Sequence, residues 1–418
     1  MIKDQTQSGM DKKSPTKRAV MIVARRLDDV QSGSGQYLLA YLVLCRAQSL
    51  HMTLVFAPQR SFGNLAWSRV HPDILAVVDD IDWSGTMHLA GRYVSTSPKV
   101  WARFACRLGC EAIRAVRRQR TTAYPSKLGQ VLGQAETAVT VARAKHCKPE
   151  LVTVEYSSLA PLLAAFPEQR RLVFLHDLFS LRAQNFMSQG LVPDHVDLSL
   201  RDEARRCDAA QIVIHASRTE IDALQDALPQ AEHIWMRPKV PTFTTQAKRP
   251  NDICAVFIGS KHAGNDGALA YLRTKVWPLV RQRIPLAKLH IVGTIGDTIK
   301  PEIAAREGLL LIGAVPDLAR AVSCNAVGLA PMDLGSGIPI KIIDYLALGL
   351  PVVATDKATR PFGRELDDIV ATAETPFEFA EKVAQLLQND DLRKAASKAG
   401  QAALDRLSNT YLSNILAE

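Results

Sequence analysis

The chain is 418 residues long, 47% of them hydrophobic, and carries 51 lysines and arginines against 42 aspartates and glutamates, a formal charge of +9. That length exceeds one ordinary core and implies two or three domains, while the excess of positive charge suits an anionic ligand or surface. No apolar window is long enough for a membrane-spanning helix, and seven cysteines with no Cys-x-x-Cys pair exclude a disulfide framework or zinc knuckle and read as free buried thiols.

Residues 1–18 are polar, without apolar periodicity or the apolar core of a signal peptide. They read as a mobile tail on a cytoplasmic protein. The first domain is expected over 19–237. Residues 19–24 form an apolar strand, the polar segment 25–31 follows, and Gly33, Ser34 and Gly35 open a helix over about 36–48 before a second strand at 52–57. This strand, glycine turn and helix lack the three-glycine dinucleotide fingerprint, so a nicotinamide site is not expected. The glycines make a tight turn or clear room for a ligand. Residues 75–78 read as a third strand.

Between 99 and 148 the chain changes character. Basic residues (Arg103, Arg107, Arg114, Arg117, Arg118, Arg120) are interleaved with Val100, Phe104, Leu108 and Ile113 at helical spacing, with Trp101 flanking that stripe. A solvated basic face and a peripheral contact with anionic lipid both fit this pattern. No recognition motif accompanies the charge, so nucleic acid is not an expected partner.

From 151 the alternation of strand and helix resumes: strand 151–154, helix 159–166, and strand 172–175, which ends in His176-Asp177. Ligands in open α/β sheets collect at the carboxyl ends of strands, which makes His176 a candidate for chemistry. Helix 196–206, strand 211–214, helix 217–228 and a short strand at 233–236 complete this half. Three prolines in the polar stretch 238–250 mark an interdomain linker.

A second α/β domain is expected over 251–390. Strand 253–258 ends in Gly259, Ser260 and Lys261; a helix over 265–281 follows; strand 289–292 ends in Gly293; strand 309–311 runs into Gly313. The apolar run 326–330 is broken by Gly335, Ser336 and Gly337, and a helix beginning at Pro339 carries Lys341 and, three residues on, Asp344 on the same face. Glycines permit close backbone approach, and a lysine in the first helical turn adds a full charge beside any phosphate bound there. Asp344 lies within reach of hydroxyls attached to that phosphate. Gly349 closes the helix. Helices over 376–387 and 391–416 end the chain, and the segment 391–418 is expected to pack back on the first domain.

The succession Phe257-Ile-Gly-Ser260, Asn265, Val276-Trp-Pro278, the strand ending at Gly293, the strand continuing to Val315, and the stretch from Gly335 through Ile338 and Lys341 to Asp344 resembles the donor-binding half of family-4 retaining glycosyltransferases. The first domain is similar more loosely, through Gly33–Gly35, His176-Asp177 and residues 201–214. The resemblance implies the GT-B architecture, an α/β fold of two Rossmann-like domains facing across a cleft. It also implies sugar transfer from a nucleotide-sugar, uridine-linked by preference, to a glycan or lipid-linked acceptor, with retention and without a metal or other cofactor.

Carried over by position, the resemblance makes His176 the catalytic-side histidine and Lys341 the phosphate-contacting base. Gly335–Gly337 become the glycine turn and Asp344 the ribose-binding carboxylate, with Gly33, Ser34, Gly35, Gly259, Ser260, Lys261, Gly293, Val315 and Ile338 lining the donor site. Many members carry two glutamates separated by seven residues; here the first position is Ser336 and the second Asp344. Within the same fold, an epimerase or phosphorylase acting on nucleotide-sugars would use similar residues. A non-catalytic sugar-nucleotide binding module would keep the binding half alone.

Overall fold

The computed structural model describes residues 17–30, 32–116, 126–188, 190, 192–193, 195–243, 252–261, 263–332, 338–404, 407 and 409–417. Two all-parallel sheets dominate it. The first is built from β1 (Lys17–Val23), β2 (Leu50–Phe56), β4 (Asp80–Asp82), β7 (Leu151–Glu155), β8 (Arg170–Phe174), β9 (Ile212–His215) and β10 (Glu232–Trp235), in the order β10-β9-β8-β7-β1-β2-β4. The second is built from β11 (Cys254–Ile258), β12 (Leu289–Val292), β13 (Leu309–Gly313), β14 (Ala326–Ala330), β15 (Val352–Thr355) and β16 (Ala371–Ala373), in the order β13-β12-β11-β14-β15-β16.

Parallel strands are buried on both faces, which is why they read in the sequence as unbroken apolar runs. Along β1, Ala19, Met21 and Val23 enter one core and Val20 and Ile22 the other. Along β14, Val327 and Leu329 face one core of the second domain while Ala326 and Ala330 face its partner. In each sheet the strand order reverses beside the strand that begins the domain: β1 lies between β2 and β7, β11 between β12 and β14. The crevices open at the carboxyl ends of those strands.

Several elements differ from the sequence expectation. Strand β1 begins at Lys17, inside the stretch read as a tail. Residues 75–78 are not a strand. Pro72–Leu75 is a helix whose first turn is capped by His71, which accepts from the Asp73 amide at 3.2 Å, and the edge strand is β4, two of whose three residues are acidic. The helix expected over 196–206 spans only Leu200–Arg206, because Ser199 caps it by accepting from the Asp202 amide. The helix expected over 265–281 is Ala263–Tyr271 and Trp277–Arg283 joined by a π-helical turn, Leu272–Val276. Pro278, which has no N–H to donate, sits just after that turn. A three-stranded antiparallel sheet of β3 (Trp67–Ser68), β5 (Thr86–Leu89) and β6 (Arg92–Ser95) is an addition to the first domain. Helix Pro98–Val116 packs on it through Trp101 and Phe104 against Trp67.

The C-terminal stretch divides between the domains. Helix Asp390–Leu404 lies on the second, where Gly400 abuts Leu346, and Leu407 is buried in the same half. Helix Thr410–Ala417 puts Leu412, Ile415 and Leu416 into the core of the first. Between them, Asn409 clasps the backbone of Arg237: its Oδ1 accepts from the Arg237 amide at 2.8 Å, and its Nδ2 donates to the Arg237 carbonyl at 3.0 Å. The chain's other crossing between domains starts at that same Arg237, whose guanidinium pairs with Glu365 of the second domain at 3.1 Å.

Candidate active site

Where the two crevices face one another they enclose a cavity of about 290 Å³. Its lining includes Gly33, Gln36, Asp177 and Arg182 from the first domain, and Gly259, Ser260, Asn265, Ile338, Lys341 and Asp344 from the second.

The second-domain wall is held from beneath. Helix Lys341–Ala347 follows β14, and the buried Tyr345 on it bonds through its hydroxyl to the Ile258 amide and to the Leu329 carbonyl, pinning the helix to the ends of β11 and β14. That helix starts at Lys341, not at Pro339, and is only seven residues long. The charge it offers the cavity is therefore chiefly the Lys341 ammonium, since a macrodipole needs length. Lys341 Nζ donates to Asn265 Oδ1 at 2.8 Å and lies 4.0 Å from the centre of the Phe257 ring. Asn265 in turn donates to the Ser260 carbonyl at 2.8 Å. Burial pushes the Lys341 ammonium down to about 7, against the pull of Asp344. Burial likewise raises the Asp344 carboxyl to about 6, with Lys341 opposing. The pair is poised for a ligand that brings negative charge and hydroxyl groups.

Gly259 reaches the cavity because Gly293 stands directly behind it. Gly293 has φ +103°, and a Cβ there would lie 2.2 Å from the Gly259 carbonyl oxygen, so neither the conformation nor the space admits a side chain. Gly293 is thus a support and not a lining residue. Val315 packs into the second domain's core, and Lys261 is exposed, its amide bonded to Thr294; both lie outside the cavity lining. Gly335, Ser336 and Gly337 lie outside the described residues.

On the first-domain wall Gly33, Ser34 and Gly35 form the first turn of helix Gly33–Ala47, not a turn ahead of it, and only Gly33 of the three lines the cavity. A Cβ at Gly35 would fall 2.5 Å from the Asp29 carbonyl, and Gly33 faces Ile340 of the other domain. Ser34 contributes its carbonyl, which accepts from Arg25 at 3.3 Å. His176 is buried behind the cavity, its Nε2 2.7 Å from Oε1 of Glu155; the same oxygen accepts from Arg25 Nε at 2.8 Å. Burial alone would raise the Glu155 carboxyl, but Arg25 and His176 outweigh it and hold it below the usual value.

Two further buried carboxylates fix the segment after β8. Glu203 accepts from the Phe179 and Ser180 amides at 3.0 and 2.8 Å, capping helix Phe179–Met187, and Glu220 accepts from the Leu178 amide at 3.0 Å. That segment presents Asp177 and Arg182, paired at 2.8 Å, to the cavity. Sequence reasoning missed Arg25, Glu155, Glu203 and Glu220. The rule that singled out His176, a polar side chain at the carboxyl end of a buried strand, applies equally to Glu155.

Residues 253–389 match the family described as "Glycosyl transferases group 1". No curated protein matches the chain in sequence. Among solved structures the chain is similar to one from E. coli described as trehalose-6-phosphate bound with UDP-2-fluoro glucose. The TM-score is 0.58 and the identity 11%, over 96% of this chain and 99% of that one. It is also similar to sucrose-phosphate synthase from Thermosynechococcus elongatus, with TM-score 0.55 and identity 14% over 96% of each chain. A third is a trehalose-6-phosphate synthase described in terms of glycosyl transfer with retention, with TM-score 0.56 and identity 11% over 95% of this chain and 97% of that one. Fold and domain match together define a glycosyltransferase of the GT-B architecture. Its second domain is of the group 1 type.

Proposed function

We propose that this glycosyltransferase moves a hexosyl group from a uridine-diphosphate sugar to a hydroxyl of a glycan or lipid-linked acceptor, with retention, without a metal, in the manner of family 4. The observation that carries this reading is the placement of Lys341 and Asp344, with Gly259 and Ser260, on one wall of an interdomain cavity whose other wall belongs to the first domain. The ligands and reactions named for the structural relatives support the choice of donor and the stereochemistry.

In this mechanism the acceptor oxygen attacks the anomeric carbon on the face from which the diphosphate departs. The bond from that carbon to the diphosphate oxygen breaks, and the acceptor's proton passes to the departing oxygen. Negative charge grows on the diphosphate, where the Lys341 ammonium stabilises it in a site shielded from water. Asp344 accepts hydrogen bonds from the ribose hydroxyls, and His176 orients a sugar hydroxyl. Helix Pro98–Val116, with Trp101, Leu108 and Ile113 exposed among basic residues, favours an acceptor held at an anionic lipid surface.

Incubating the protein with UDP-, GDP- and ADP-linked hexoses and an acceptor extract tests the reading. Acceptor-dependent release of UDP with an α-linked product from an α-linked donor is expected. Release without acceptor, or an inverted product, would overturn it.

A further inference from the structure

Arg25, Glu155 and His176 follow or end three strands that are neighbours in the first sheet, β1, β7 and β8. Glu155 is wholly buried, and a single oxygen of its carboxylate takes both the His176 and the Arg25 bonds. We propose that Glu155 is a positioning residue that fixes His176 in the tautomer protonated on Nε2 and holds its ring at the carboxyl end of β8, beside the cavity-lining Asp177; this rests on the glycosyl-transfer reading above.

An ionised carboxylate can only accept, so the proton in the 2.7 Å contact belongs to Nε2 of the imidazole. Burial pushes the His176 imidazole below its ordinary value, against the pull of Glu155, which leaves the ring neutral and Nδ1 bare. Nδ1 is buried with no partner among the described residues. The other tautomer would set a bare Nε2 against the carboxylate and leave an unpaired N–H on the buried Nδ1, which is costlier.

Two aromatic rings pack against the imidazole. Tyr156 lies against it at 4.8 Å between centroids and Phe174 meets it edge-on at 4.7 Å. Tyr156, directly after Glu155, holds a left-handed backbone with φ +66°, a strain of the kind that persists where a site over-determines its geometry. Through Arg25 and the Ser34 carbonyl, the same carboxylate ties the residue after β8 to the first turn of helix Gly33–Ala47, whose Gly33 lines the cavity. A carboxylate behind a functional imidazole commonly sets its tautomer and orientation.

The full chain labelled with 15N-histidine, measured by long-range proton–nitrogen correlation at pH 7.5, tests this directly, the His176→Asn variant assigning the signals. A neutral ring protonated on Nε2 is expected; a ring protonated on Nδ1 overturns the proposal, whether or not any variant folds. In transfer assays Glu155→Gln should lower kcat at least about tenfold with donor KM within twofold, Glu155→Asp should recover part of that loss, and adding Glu155→Gln to His176→Asn should cost nothing more. A kcat within threefold of wild type, or losses that multiply in the double variant, would show the cluster to be structural only. If no nucleotide-sugar donor is turned over, the functional reading fails by itself, and the spectrum still decides the tautomer.

Discussion

On the second-domain wall of the cavity, Lys341 and Asp344 stand one helical turn apart, and burial pulls both pKa values toward neutrality. On the first-domain wall, Arg25, Glu155 and His176 are bonded to one another and close their charges among themselves. The first-domain ion pair is made before any ligand arrives, whereas Lys341 gains its full charge only when an anion arrives. A GT-B enzyme built this way would use one wall as a fixed template and the other as a responsive clamp.

The comparison is broken most directly at Lys341. If its ammonium meets the diphosphate, Lys341→Ala should cost at least about 2 kcal/mol of transition-state stabilisation, read as kcat/KM, while thermal unfolding stays close to wild type. Unchanged turnover in the folded variant would remove the clamp from the mechanism. Asp344→Asn keeps the shape but not the charge, so calorimetry should find nucleotide affinity weaker by about 1–3 kcal/mol. Equal affinity would make Asp344 an ordinary helix residue.

The clamp also has a pH signature. The protonated form of Lys341 is the one that binds, and in the empty site it is lost as pH rises through about 7. Above that value, the Kd for UDP should therefore rise with pH, by at most about tenfold per unit, and binding at pH 8 should take up protons. A flat profile above pH 7, identical in Lys341→Ala, would count against a responsive lysine. A separate effect is expected at the membrane. Each basic residue at an anionic surface adds about 1 kcal/mol, so replacing Arg114, Arg117, Arg118 and Arg120 with Gln should reduce recovery on anionic vesicles at low salt. Equal recovery on neutral vesicles would favour a solvated face. Residues 117–125 lie outside the described structure, so this prediction stands on sequence charge alone.

The same contrast explains what was legible in the sequence. Lys341 and Asp344 lie three residues apart on one helix, so helical spacing alone joins them. Arg25, Glu155 and His176 span 151 positions and meet only because strand order brings β1, β7 and β8 together. Buried parallel strands announce themselves as apolar runs, and most were found. The additional sheet was not: Thr86–Leu89 and Arg92–Ser95 are short and half-exposed, and their stability comes from Trp67, Trp83 and Tyr93 packing that no local pattern records. The early start of β1 has a similar origin, since Lys17 and Arg18 pair with Leu50 and His51 across the sheet.

The clasp of Asn409 on Arg237 governs how the two walls can move. The chain passes between the domains twice, and this side chain brings the two crossings together. Beside it Ile221 and Trp235 of the first domain are buried in the second domain's core, so the two walls form a gate hung on a packed hinge. Opening the cavity means swinging Ile338 and Ile340 away from the first domain's core, which bares apolar surface. The spring that shuts such a gate is hydrophobic, and it weakens on cooling.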